Sequence, residues 1–265
     1  MTKERLWVTI YGILLFISGI FVGSLLTTGE NSVSLKRTTS SLPTTTIGTM
    51  TEIVFPLVAV TSNEEGVLEY GILKIIHGSG KAYISINPFV EPDTQYALEN
   101  AIKAACKLAK KDCSKYDFIL TIHSNATLVG GPSAGLPFAL AVYYGLLNKS
   151  FPPYIAATGT IDSEGRIGPV GGVFEKALAA AKAGKRLFII PPEQSIVYSY
   201  EKVEKRYEPF PGFVFVQIEY RPVPINLTKL FWEKYKMRIE EVRTLEEAIK
   251  IINSYYKIQL NDKKA

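Results

Sequence analysis

The segment Gly130-Gly131-Pro132-Ser133-Ala134-Gly135 sets a serine between a glycine-rich loop and a long apolar run. A serine at such a corner is exposed, and its small neighbours let a substrate backbone come close. Free N–H groups at a helix start, with the helix dipole, can hold a developing oxyanion. Pro132 has no N–H, so the donors expected are Ser133 itself and Gly130 or Gly131. A plain helix cap would use the same residue types. An attacking serine also needs a base, and the chain has only His77 and His123. His77 falls in a glycine-rich turn. His123 precedes Ser133 by ten residues, with no aspartate in the supporting pattern of a triad. A lysine can serve instead if burial lowers its pKa. Lys176 is the candidate, standing among Val173, Phe174, Ala177, Leu178, Ala179 and Ala180 after a double glycine. Its plainer alternative is a lysine snorkelling from a helix face.

At these residues the sequence resembles the proteolytic domain of the Lon peptidases. That family's nucleophile segment reads Asp-Gly-Pro-Ser-Ala-Gly, against GGPSAG at 130–135 here. Its lysine lies in Gly-Gly-Leu-Lys-Glu-Lys, against GGVFEK at 171–176. ATGTIDSEGRIGPVGG between them, AAAKAGKRLFIIPPEQ downstream and RIEEVRTLEEAI near the end continue the likeness in order. The resemblance implies a serine endopeptidase with a Ser133–Lys176 dyad, in which Thr158 supports the lysine by hydrogen bonding. It also implies unfolded or extended polypeptide substrates, no cofactor and hexameric rings. Two departures matter. Gly130 stands where the family has Asp, and the chain has no Gly-x-x-x-x-Gly-Lys-Ser/Thr phosphate loop, so ATP-independent action is expected. The alternative is an inactive or self-processing Lon-like domain that acts as a tethered binding or regulatory module.

The elements that must position these residues alternate between strand and helix. EIVFPLVAVTS reads as β structure, and two apolar runs flank His77-Gly78-Ser79-Gly80 in the manner of a hairpin. DTQYALENAIKAACKLAKK has apolar positions at helical spacing, with Asp93 or Thr94 as a cap. YDFILTIHS is a buried strand, and a helix is expected from about Ser133 to Leu147. YIAATGTI, KRLFIIPP and GFVFVQIEY read as further strands. Between the first two lies a helix, VFEKALAAAKA, and TLEEAIKIINSYYK closes the chain as an amphipathic helix. The class is α+β, in one domain over residues 52–260. Residues from about Glu208 to Met237 exceed the family's usual connection; a flap, an oligomer contact and a membrane-facing surface all fit them.

Ahead of this domain, residues 6–29 contain no charged side chain, and about 20 apolar residues suffice to cross a bilayer. The run is longer than a leader's apolar stretch, and no small-residue cleavage signal follows it. A retained signal anchor is therefore expected, after a short flank at 1–5 and before a Ser/Thr-rich linker at 30–51. Basic residues on both sides leave its orientation weakly specified. Sequons at Asn125, Asn148 and Asn226 favour an extracytoplasmic domain. Cys106 and Cys113 do not fit a Cys-x-x-Cys metal or redox site. On one continuous helix they would stand about 10 Å apart. They can bridge only if that helix ends near Lys110 and the chain curls back; otherwise they are separate thiols. The net charge of +5 is spread along the chain and forms no block, which argues against a nucleic-acid partner.

Overall fold

A computed structural model describes residues 51–262 of the chain. The expected membrane helix at 6–29, its flank and almost all of the linker lie outside the described residues. Among the described residues no helix is long and apolar enough to cross a membrane.

In chain order the elements are β1 (Thr51–Val60), β2 (Gly66–His77), β3 (Ala82–Ile84), β4 (Phe89–Val90), α1 (Pro92–Ala109), β5 (Tyr116–His123) and β6 (Leu128–Val129). They continue with α2 (Gly135–Leu146), β7 (Ile155–Ala157), β8 (Thr160–Ile161), β9 (Ile167–Gly168), α3 (Val173–Lys182) and β10 (Leu187–Ile190). The last are β11 (Ile196–Phe210), β12 (Phe213–Asn226), α4 (Leu227–Tyr235), β13 (Arg238–Glu241) and α5 (Leu245–Asp262).

One sheet has the order β1-β2-β5-β3 and another the order β13-β10-β7. Ile53, Phe55 and Leu57 alternate into the core from β1. Pro56 cannot donate to a ladder, and β1 tolerates it as an edge strand. In the second sheet β10 pairs in parallel with β13 and with β7. Its four residues Leu187 to Ile190 are all fully buried, as expected of a parallel strand covered on both faces. Helix α2 is apolar nearly all round, and eleven of its twelve residues are buried. A helix without a polar face belongs at the centre of a core, and its first turn carries the nucleophile loop into that rigid setting.

The hairpin expected around His77-Gly78-Ser79-Gly80 does not form. β2 pairs with β5, and β3 lies on the far side of β5, parallel to it. Asp117 explains the path, because its carboxylate accepts the N–H groups of Ser79 and Lys81. The chain therefore crosses the end of β5 and does not fold back on β2. The true hairpin is β1–β2, closed through Thr61 to Glu65. The long connection expected from Glu208 is also larger than it looked. β11 and β12 pair with each other alone as a two-stranded ribbon that starts at Ile196.

Helix α1 ends where the cysteines require. Lys110 takes the left-handed conformation at φ 53° and donates its N–H to Cys106 O and Lys107 O, a common way to stop a helix. The chain then turns back, so that Cys106 and Cys113 lie 6.1 Å apart at Cα and form a disulfide. Of the two readings left open, the bridge is the one the fold realises.

Candidate active site

The nucleophile candidate is set by three elements. β6 delivers the chain to Gly130, a single 3-10 turn spans Pro132–Ala134, and α2 begins at Gly135. Gly131 has φ +92°, a backbone region that favours glycine, and this lets the loop turn sharply into Pro132. Ser133 is half-buried. Its carbonyl accepts the N–H of Gly159 at 2.9 Å and the hydroxyl of Thr158 at 3.3 Å. Gly135 has no room for a side chain, since a Cβ there would stand 2.9 Å from Ile161. The serine's backbone is therefore fixed against the strand break at Thr158-Gly159.

Lys176 comes from the first turn of α3. Gly172, at φ +65°, starts that helix, and Lys176 donates its N–H back to Gly172 O. A Cβ on Gly172 would lie 2.5 Å from Val60, so the glycine is required by space as well as by conformation. The buried face of α3 holds Val173, Ala177 and Ala180, and Lys176 shares it at 5 % exposure. Burial pushes its ammonium from 10.5 down to about 8, while the neighbouring Glu175 carboxylate works in the opposite direction. Desolvation wins, as it does for amines held among apolar side chains.

Ser133 and Lys176 line one cleft of about 410 Å³, together with Val60, Gly130, Gly131, Thr160 and Val170. Among the described residues, Lys176 Nζ makes no hydrogen bond to Ser133 Oγ or to Thr158 Oγ1. Thr158, expected beside the lysine, is fully buried and spends its hydroxyl proton on Ser133 O. Its lone pairs remain able to accept from an ammonium. The expected oxyanion donors also divide. Gly131 N–H is engaged by Asp93 Oδ1 at 3.3 Å, which leaves Gly130 and Ser133 as the free amides of the loop. A larger groove of about 820 Å³ between β3 and α1 holds neither Ser133 nor Lys176.

His123 is exposed at the end of β5 and lines a separate cavity with Glu69 and Tyr70, so it offers Ser133 no base. Lys185 is a second buried lysine, at 8 % exposure, although the charged Arg186 follows it. Its ammonium donates to Pro153 O at 2.8 Å, and burial lowers its pKa. It is not part of the Ser133 cleft.

The sequence reading missed what holds the loop. The cap position of α1 is Glu91, without any side-chain cap bond, and Pro92 sets the first turn, while Asp93 Oδ1 accepts the first-turn N–H of Thr94 at 2.7 Å. Asp93 grips Gly131 N–H, and buried Thr94 donates its hydroxyl to Gly131 O at 2.9 Å. Their signal was present in Glu-Pro-Asp-Thr, a helix start with more polar groups than one cap needs.

Residues 93–205 match the family described as the Lon protease (S16) C-terminal proteolytic domain. A Lon protease of Metamycoplasma arthritidis is 38% identical over 127 residues, 47% of this chain and 14% of that protein. One from Methanosarcina barkeri is 39% identical over 82 residues, 31% of this chain and 10% of that protein. One from Clostridioides difficile is 46% identical over 77 residues, 29% of this chain and 10% of that protein. The chain thus spans a seventh or less of the length of these relatives.

Proposed function

Because residues 93–205 belong to the Lon proteolytic-domain family, we propose that this chain is a serine endopeptidase working through Ser133 and Lys176. The observation that carries the reading is the shared cleft, in which burial brings the Lys176 amine to about 8. At neutral pH a useful fraction of that amine is unprotonated and able to take the Ser133 proton. Ser133 Oγ then attacks a peptide carbonyl. The free loop amides stabilise the tetrahedral oxyanion, and Lys176 returns the proton to the leaving amine. Water hydrolyses the acyl-enzyme by the same route, with Thr158 orienting the ammonium. Substrate binding is proposed to bring Lys176 Nζ and Ser133 Oγ, which line the same cleft, into hydrogen-bonding reach.

The substrates proposed are unfolded or extended polypeptides, cleaved without ATP, by a domain that assembles with its own copies. Residues 6–29 are proposed to tether it to a membrane with the catalytic domain outside the cytoplasm. The Cys106–Cys113 disulfide supports an oxidising compartment, and exposed Asn125, Asn148 and Asn226 would be accessible to glycosylation there. A second reading, a regulated or self-processing domain, draws on the engagement of Gly131 N–H by Asp93 in the resting loop.

The test is cleavage of a denatured polypeptide by the purified chain. Ser133→Ala and Lys176→Ala should each remove it, and full activity in either variant would sink the assignment.

A further inference from the structure

The geometry points to Glu91 as a positioning residue of the nucleophile loop, its carboxylate filling from α1 the side-chain space that Gly130 leaves empty. The inference rests on the peptidase reading of Ser133 and extends it to the loop that lacks the family's aspartate.

Position 130 is sterically occupied although its residue has no side chain. A Cβ built on Gly130 would lie 1.9 Å from Glu91 Oε2, 2.4 Å from its Cδ and 3.1 Å from its Cγ. A side chain at 130 would meet the far end of the Glu91 side chain, which would then have to move aside. With glycine at 130 the Glu91 side chain keeps this place without displacement. The Glu91 carboxylate thus stands in the space that a side chain at 130 would otherwise take.

Glu91 starts from a fixed base. Its N–H donates to Val129 O at 3.0 Å, and its carbonyl accepts the N–H of Gln95 at 3.2 Å. The peptide beyond Gly130 is gripped on both sides by the same helix start, through Asp93 at Gly131 N–H and Thr94 at Gly131 O. The loop thus meets α1 at three successive points, of which Gly130 is the one held by contact alone. Two glycines in a row would otherwise have wide backbone freedom. A wedge at Gly130 removes much of it just where the loop's free amides must point at an oxyanion. Among the described residues the Glu91 carboxylate forms no ion pair or hydrogen bond, so its approach to Gly130 is the contact that a variant at either position would alter.

The experiment compares the full chain with Glu91→Ala, Gly130→Asp and the double variant, measuring kcat and KM on a denatured polypeptide. Glu91→Ala should lower kcat tenfold or more with KM within twofold. Gly130→Asp should also lose activity, because two carboxylates contend for one space. The double variant, with the carboxylate returned to the loop, should recover to within about threefold of the parent. Such rescue is not expected of a residue that merely stabilises α1. An unchanged kcat in Glu91→Ala, or a double variant no better than Gly130→Asp, would overturn the inference. Should the parent show no Ser133-dependent cleavage, the peptidase reading fails. Amide hydrogen exchange at residues 129–133 then decides about Glu91: faster exchange in Glu91→Ala, reversed in the double variant, supports the wedge, and unchanged exchange refutes it.

Discussion

The pH dependence of cleavage tests the base assignment most directly. With Lys176 near 8, the neutral fraction is about one part in a hundred at pH 6, a tenth at pH 7 and a half at pH 8. kcat/KM should rise about tenfold per pH unit from 6 to 7.5 and level off above 9. Glu175→Gln sharpens the test, since the carboxylate it removes is the group that holds the Lys176 pKa up. The midpoint should then move down, and each half unit of movement gives about a threefold faster rate at pH 7. The assay is initial-rate cleavage of a labelled denatured polypeptide in constant-ionic-strength buffers from pH 5.5 to 10. A midpoint near 6.5 would implicate a histidine, and one near 10.5 would mean a solvated lysine. Either result, or a midpoint that rises in Glu175→Gln, would refute the reasoning.

The same burial makes Lys176 costly to the fold. Its folded pKa lies below the unfolded value, so the penalty is fully present below about pH 8 and fades as pH rises towards 10.5. Lys176→Met should abolish activity yet raise unfolding free energy at pH 7 by up to about 3 kcal/mol, a gain that shrinks above pH 8. Urea melts at pH 7 and pH 10 check it, and a gain equal at both would count against the assignment. The Cys106–Cys113 bridge closes a short loop, with seven residues of separation. Reducing it should cost about 2 kcal/mol by the chain-entropy relation, read as a lower Tm in reductant, whereas an unchanged Tm would mean the bridge contributes nothing to stability.

The parts of the fold that rest on local pattern were legible. The apolar run of β10 and the helical spacing of α1 gave their elements, and the glycines before Ser133 and Lys176 marked the turns that expose them. Pairing at a distance was not legible. His77-Gly78-Ser79-Gly80 has the composition of a hairpin turn, and only Asp117, 38 residues beyond Ser79, turns it into a crossing. The burial of Lys185 has no local mark, since its partner is a backbone carbonyl with no signature in sequence. Asp93 and Thr94 have the types of helix caps, and nothing local says that their side chains reach across to Gly131. Glu91 was silent for the same reason, its significance lying in a residue 39 positions away that has no side chain.

The β11–β12 ribbon has a different kind of consequence. Its two ends meet, with Leu227 donating its N–H to Ser195 O at 2.8 Å, and most of its side chains face solvent. Residues 196–226 are therefore an insertion in the architectural sense. They leave the domain and return to it at one point, and the matched family segment ends within the first strand, at residue 205. Only the base of the ribbon, through Val197 and Ile225, packs against the core, so the part beyond can be lengthened or exchanged over evolutionary time with little repacking beneath it. Divergence among chains of this kind should concentrate there, away from the loop at Gly130 and the start of α1.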